Sequence, residues 1–508
     1  RVTPHLAELA AAVRCPALVL HGDRDEIISL DVGRAVHQSI AGSRMVVLED
    51  SGHAPHLRDP VFVNDLLLDF IGRPVPPERR WRRAMARAPR RALFVSSPIG
   101  LGHIQRDLAI ARELRELIPD LEIHWWTQHP ATRVLEEAGE TIHPLSRAMS
   151  SESAHWEQCA TGHELHAFDA FRKMDEIFLA NFMLFHDLTR HEPYDLWIGD
   201  ESWEIDYYLH ENPELKTAPY VFLTDVIGFL PVDPDGDARD AELCADYNAE
   251  MIAQRARYPW LRDLSLYIGA YDELPEAPFG PGLPGIREWA REWFEPVGYI
   301  LPGLPPDYRD QAAMRARLGY AETDPLIFAA VGGTAIGRGL LEHVACAFPL
   351  IRRELPEARM VLVTGPRIDP ATLPDAEGLE KRPYVHNLFE HLACADAAVV
   401  QGGLTTTMEL VAARRPFVYV PLHKHWEQQH HVAYRLDHYR AGIRLSHDAT
   451  PTDLAQALLQ ALTQPVTYRQ VAPGAARRAA ERIASVLASP RTMKGGMRQD
   501  RHQPSTTS

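Results

Sequence analysis

Short, nearly unbroken apolar runs alternate with helical periodicity along most of this chain. "RALFVSS", "EIHWWTQ", "YDLWIGD" and "PYVFLTD" recur between Arg91 and Asp225, each followed by a polar or glycine-bearing turn. Runs apolar on both faces predict fully buried strands, and strands alternating with helices predict a parallel sheet with right-handed crossovers. The design repeats in "PLIFAAVGGTAIGRGLLEHVACAF", "RMVLVTGP", "RPYVHNLFEHLACADAAVVQGGLTTTMELVAAR" and "PFVYVPL", and closes on a helix in "GAARRAAERIASVLA". A smaller set comes first: a strand at Ala17–Leu20, a helix in "DVGRAVHQSI", a strand in "RMVVLED", the turn "SGHAPHLRDP" and the helix "VFVNDLLLDFI".

The pattern divides the chain into residues 1–75, an arginine-rich linker over 76–90, a Rossmann-like unit over 91–300, a second over 301–487 and a polar, disordered tail over 488–508. Pro and Gly crowd residues 273–305, which reads as an interdomain connection. Residues 151–192 read as helical and rich in aromatics. They are helix core first, and the first place to look for an apolar acceptor wall. The linker, "GRPVPPERRWRRAMARAPRR", reads as a solvated helix between domains, with peripheral contact to anionic lipid as the sharper reading.

Composition narrows the function. The net charge of −16 lacks the basic balance of a nucleic-acid binder. Five scattered cysteines without a C-x-x-C pair read as free thiols of a reducing, cytoplasmic compartment. No apolar run reaches the roughly 18–20 residues of a membrane span, and no signal peptide opens the chain. The chain starts at Arg1, so an upstream portion is expected.

Candidate chemistry gathers at the strand-to-helix corners. "GLGHIQRDLAIARELRE" places His103 between a strand and a helix expected over Ile104–Leu117, with Gly100 and Gly102 allowing close backbone approach. Near neutral pH an imidazole is a competent base for a hydroxyl. Asp200 and Asp225 end two strands of the same unit and are candidate orienting partners, with helix capping the plain alternative. In the second unit, Gly332, Gly333 and Thr334 ("VGGTAIG") and Gly402, Gly403, Thr405 and Thr406 ("QGGLTTTMEL") sit where free N–H groups and a positive dipole end suit a diphosphate. Glu409 is placed to accept from ribose hydroxyls, and Glu427 and Gln428 from a sugar. Gly365 in "VTGP" falls where donor contacts are expected. "DPDGD" reads as a surface turn, and the histidines of "HKHWEQQHH", on a strand-end loop, do not read as a zinc site.

Val399–Gln429 resembles the donor segment of two-Rossmann (GT-B) nucleotide-sugar glycosyltransferases, the group of the peptidoglycan N-acetylglucosaminyltransferase and the monogalactosyldiacylglycerol synthases. The shared pattern, G-G-x-x-T/S-x-x-E followed by P-x-x-x-x-x-x-Q, falls on Gly402, Gly403, Thr406, Glu409, Pro421 and Gln428. The likeness covers about residues 91–487. It implies an α/β fold with two Rossmann-like domains facing a cleft, and a hexosyl group moved from a UDP-type sugar to an acceptor hydroxyl with inversion. It further implies base-holding backbone near Val385 and Leu388, a loop histidine at His103 facing the acceptor, and neither cofactor nor metal. Gln401 stands where many small-molecule transferases carry His, and "HWEQ" replaces a common Asp-Gln pair, which leaves the donor sugar open. The acceptor, a lipid or a small aglycone, is open too.

Residues 1–75 resemble the C-terminal end of an α/β-hydrolase, with Asp25 at the acid position and His53 at the base. No G-x-S-x-G elbow occurs in the chain, so the pair reads as inert turn residues, a remnant of a partial fold. Two alternatives stay open: esterase activity of a longer fusion, which an upstream G-x-S-x-G would mark, and a non-catalytic nucleotide-sugar-binding module, which His103→Ala and Glu409→Ala would separate from a transferase. A dinucleotide oxidoreductase fits poorly, because neither glycine turn spells G-x-G-x-x-G.

Overall fold

A computed structural model of the chain describes residues 9–72, 90–161, 164–232, 238–302, 308–332, 335–365 and 367–488. Residues 73–89 of the arginine-rich stretch, the "DPDGD" turn, the tail from 489, and Gly333 and Thr334 lie outside them. The described residues fall in two compact units, one holding 9–72 and the other 90–488.

In the smaller unit β1 (Leu18–Gly22) pairs in parallel with β2 (Arg44–Leu48), and the helix Leu30–Ser39 makes the crossover. The expected turn before the last helix contains a helical turn of its own, Pro55–Arg58. Proline opens both it and the following helix, Pro60–Ile71, where its missing N–H has no intrahelical partner to lose.

The larger unit holds two sheets. The first contains β3 (Arg90–Ser96), β4 (Leu121–Trp126), β5 (Thr141–Ile142), β6 (Leu196–Asp200), β7 (Tyr220–Thr224), β8 (Leu264–Tyr267) and β9 (Glu295–Pro296), in the order β5-β4-β3-β6-β7-β8-β9. The second contains β10 (Leu326–Ala330), β11 (Arg359–Val363), β12 (Leu379–Arg382), β13 (Ala397–Val400), β14 (Phe417–Tyr419) and β15 (Ile443–Arg444), in the order β12-β11-β10-β13-β14-β15. Every pairing is parallel. Helices cover both faces, so the central strands are buried throughout; Ala92, Leu93 and Phe94 of β3 are fully enclosed, as are Ile327, Phe328 and Ala329 of β10.

Strand order fixes where a ligand fits. Each sheet reverses direction beside its first strand, between β3 and β6 and between β10 and β13. Crossovers leave such a point toward opposite faces and open a crevice at the carboxyl ends of the strands. His103 and Asp200 follow one reversal; Gly332 and Gln401–Gly403 follow the other.

Several expectations are corrected. The helix after β3 starts at Leu101 rather than Ile104, so Gly102 and His103 lie in its first turn. Residues 273–305 are only partly a connection. Ile286, Trp289 and Ala290 are buried on one side of a helix, Ile286–Trp293, and Glu295–Pro296 adds an edge strand. "HWEQQHH" is no strand-end loop: Glu427–Val432 form a π-helical turn running into the helix Ala433–Tyr439. The helix Ala475–Ala488, read with the second Rossmann-like unit, packs on Leu101–Leu117 of the first, with Arg478 Nε donating to Val297 O at 2.9 Å.

Candidate functional site

A cavity of about 760 Å³ lies at the carboxyl ends of both sheets and is lined from each. The two glycine-cornered helix starts meet there. A methyl group on Gly102 would fall 1.9 Å from Thr405 Oγ1, so only glycine admits this approach. Gly100 and Gly403 are the N-caps of these helices, and neither helix start is capped by a side chain. Their first N–H groups therefore keep no intrahelical partner and face the crevice with the positive dipole end. Gly402, at φ +102°, makes the turn that delivers Gly403, and does not itself line the cavity.

His103 is held in a charged network. Its Nδ1 lies 3.0 Å from Asp200 Oδ2. Arg106, one turn along the same helix, donates from Nε to Asp200 Oδ2 at 3.0 Å and from Nη2 to Oδ1 at 2.5 Å, and its Nη1 pairs with Asp225. Arg106 Nη2 also lies 2.8 Å from His103 Nδ1. Both cannot keep a proton on that line; Asp200, with no exposed surface and two cationic neighbours, decides for Nδ1–H. Burial raises the Asp200 pKa, but Arg106 and His103 outweigh it and hold the carboxyl well below the usual range. Burial and Arg106 push the His103 ring down; Asp200 and Glu201 outweigh them and lift it to about 9. The ring is thus an imidazolium at neutral pH, which corrects its reading as a free base.

Asp225 pairs with Arg106 rather than orienting His103, and neither aspartate caps a helix. Arg106 and Glu201 escaped the sequence reading, though both were in view: Arg106 shares the His103 face at i+3, and Glu201 follows Asp200 directly.

On the other wall, Gly332, Gly365, Val385, Leu388, Gly403, Thr405, Thr406, Glu409, Glu427 and Gln428 all line the cavity. Burial lifts the Glu409 carboxyl to about 8, so it is a neutral acid that can both donate and accept. Burial, with Asp225 and Glu201 nearby, lifts Glu427 to about 8 as well. Gln428 uses its side-chain oxygen on Leu422 N–H at 2.9 Å and braces the loop after β14. Gln401 Nε2 and His425 Nδ1 are buried on this wall without a hydrogen-bond partner, a state that a polar ligand in the cavity would relieve. The other histidines here are engaged separately. His430 and His431 contact the carbonyls of Pro231 and Gly228, and His423 stacks on His447 at 3.9 Å. They share no metal geometry. Phe171, Phe178, Trp203, Phe229 and Trp426 give the cavity an apolar end.

In the smaller unit His53 Nδ1 lies 2.9 Å from Asp25 Oδ2, while the N–H groups of Ile27 and Ile28 donate to Asp25 Oδ1, each at 2.9 Å. The pair is assembled rather than dispersed. Over 63 residues the chain is 33% identical to the serine hydrolase BPHL of Homo sapiens, which covers 12% of this chain and 22% of that protein. No serine nucleophile accompanies the pair among the described residues.

Residues 327–487 match the glycosyltransferase family 28 C-terminal domain. The chain is 28% identical over 193 residues to an uncharacterised glycosyltransferase of Methanopyrus kandleri, covering 38% of this chain and 53% of that one. It is 31% identical over 252 residues to the UDP-N-acetylglucosamine–N-acetylmuramyl-(pentapeptide) pyrophosphoryl-undecaprenol N-acetylglucosamine transferase of Symbiobacterium thermophilum, covering 42% and 66%. The chain thus spans about half to two thirds of the length of these curated relatives. Among solved structures, Acinetobacter baumannii MurG aligns over 78% of this chain and all of its own, with 16% identity and a TM-score of 0.46. No described helix is long and apolar enough to cross a membrane. Residues 327–487 thus carry a glycosyltransferase family 28 C-terminal domain, and the larger unit that holds them is built of two parallel, Rossmann-like sheets.

Proposed function

We propose that this chain transfers a hexosyl group from a UDP-type sugar to the hydroxyl of an acceptor with an apolar body, with inversion and without a metal ion. The observation that carries this is the shared cavity. Two uncapped helix starts meet at Gly102 and Thr405 with His103 on one side and Glu409 on the other. The helix start at Gly403 would hold the diphosphate and stabilise the charge of the leaving nucleotide. The backbone near Val385 and Leu388 would take the base, and Glu409 the ribose. Glu427 and the unpartnered Gln401 amide would read the sugar.

The name of the Symbiobacterium relative gives UDP-N-acetylglucosamine as its donor and an undecaprenol-linked acceptor. On this chain the aromatic end of the cavity supports an apolar acceptor, a lipid or a small aglycone. Arg106 supports the metal-free reading. Donor atoms of His103, Glu201 and Asp225 lie within 4.8 Å of one another and could converge on a cation, but the guanidinium already pairs with Asp225 beside them.

The test is a panel of nucleotide sugars scored by thermal shift, then by nucleotide release with alcohol acceptors. A donor at a hundred times its Kd adds about 2.7 kcal/mol of stability. Stabilisation by a UDP sugar, with turnover unaffected by EDTA, is the expected result. No response to any nucleotide sugar removes the reading.

A further inference from the structure

The His103–Asp200 pair leaves a question of proton traffic, and Glu201 supplies the missing group. Asp200 is the last residue of β6, and Glu201 follows it in the left-handed region, at φ +48°. A non-glycine residue rarely adopts that conformation without a packing or functional reason. Its backbone is fixed on both sides: Glu201 N–H donates to Leu223 O at 2.9 Å, and its carbonyl accepts from Trp203 N–H at 2.9 Å. One side-chain oxygen is fixed as well. Asp225 N–H donates to Oε1 at 3.3 Å, and the Thr224 hydroxyl lies 3.0 Å from the same atom. The other oxygen, Oε2, lies 3.8 Å from His103 Nε2, and both residues line the cavity.

We propose that Glu201, rather than His103, is the catalytic base that takes the acceptor proton, and that the Asp200-bound ring of His103 holds Glu201 in place. This rests on the transferase reading above. The acceptor O–H gives its proton to Glu201 Oε2 while an oxygen lone pair forms the bond to the anomeric carbon. The bond from that carbon to the diphosphate oxygen breaks, and its electron pair leaves with the nucleoside diphosphate. Glu201 then returns the proton to water.

The charges around Glu201 suit this role. His103 and Arg106 face it from the helix after β3, Asp200 from β6, Asp225 from the end of β7 and Glu427 from the π-helical turn. Burial and Asp225 lift its pKa to about 7 against the pull of His103 and Arg106, so it exchanges a proton in the working range.

The experiment compares wild type, Glu201→Gln and Glu201→Asp with UDP-glucose, UDP-galactose and UDP-N-acetylglucosamine. Nucleotide release is followed from pH 5.5 to 10 with a long-chain alcohol and with water as acceptors, and donor-dependent thermal shift reports folding and binding. We expect wild-type kcat to rise through about pH 7 and fall through about 9, as His103 loses its proton. Glu201→Gln, which keeps the shape, should lose at least about a hundredfold in kcat together with the limb near 7, at unchanged donor shift. Glu201→Asp should recover part of the rate and restore that limb. A Glu201→Gln enzyme with wild-type rate, or a wild-type profile rising only through about 9, assigns the proton to His103 and overturns the proposal. A wild type that neither binds nor cleaves any of the three donors instead overturns the transferase reading, and the proposal with it.

Discussion

Gly102 and Thr405 touch across the cleft, each in the first turn of a helix that follows an interior strand of a different sheet. No side chain fits between them. Gly102→Ala would drive a methyl against Thr405 Oγ1, an overlap that costs about 1–3 kcal/mol if absorbed in place and is relieved by prying the cleft open. We expect Gly102→Ala to lower kcat and raise the donor KM together. Adding Thr405→Gly, which empties the opposing position, should restore much of both. Steady-state kinetics of the single and double variants check this.

The ring of His103 titrates at about 9 in the folded chain, above its ordinary 6.5. A raised folded value means that protonation favours the native state. The contribution is complete below about pH 6.5 and is lost as pH rises through about 9. The melting temperature of the larger unit should therefore fall by about 2 °C between pH 7 and 9.5 through this group. His103→Gln should remove that part of the slope, and calorimetry against pH reads it directly.

Glu409 is a neutral acid at pH 7, because burial alone lifts it to about 8. Glutamine reproduces a neutral donor–acceptor group and alanine does not. Glu409→Ala should weaken nucleotide-sugar binding about tenfold or more, and Glu409→Gln by about threefold or less. Titration calorimetry with UDP and with the UDP sugar distinguishes the two. Equal losses would mean that the carboxylate is the binding form.

Arg435 reaches from the second Rossmann-like half into the first. Its Nη2 donates to Tyr267 Oη at 2.6 Å and to the carbonyls of Asp225 and Ile268, and its Nε lies 3.2 Å from Glu273 Oε2. Arginine and glutamate are each at most 3% exposed. Arg435→Met strands the carboxylate and should cost about 3–5 kcal/mol. Arg435→Met with Glu273→Leu should recover most of it, since replacing both partners of a buried pair with apolar groups is often neutral. Chemical denaturation of the single and double variants checks this.

The sequence by itself determined the strands, the two parallel sheets, the glycine corners and the donor-side motif. These are local properties: apolar runs, turn residues and helix starts depend on neighbours a few positions away. The pairing of His103 with Asp200 was within reach, since both follow strands of one unit. Tertiary structure decided the rest. Asp225 went to Arg106 because a buried guanidinium needs both carboxylates, a demand set by residues 119 positions apart. His103 became a cation because Asp200 and Glu201 outweighed the loss of solvent that would otherwise have kept its ring neutral. Glu409 and Glu427 kept their protons for the same loss of solvent. The histidine-rich "HKHWEQQHH" folded into a π-turn whose rings bind carbonyls of the other half. Charge state, partner choice and proton direction all depend on dielectric and distance, which only the packed chain supplies.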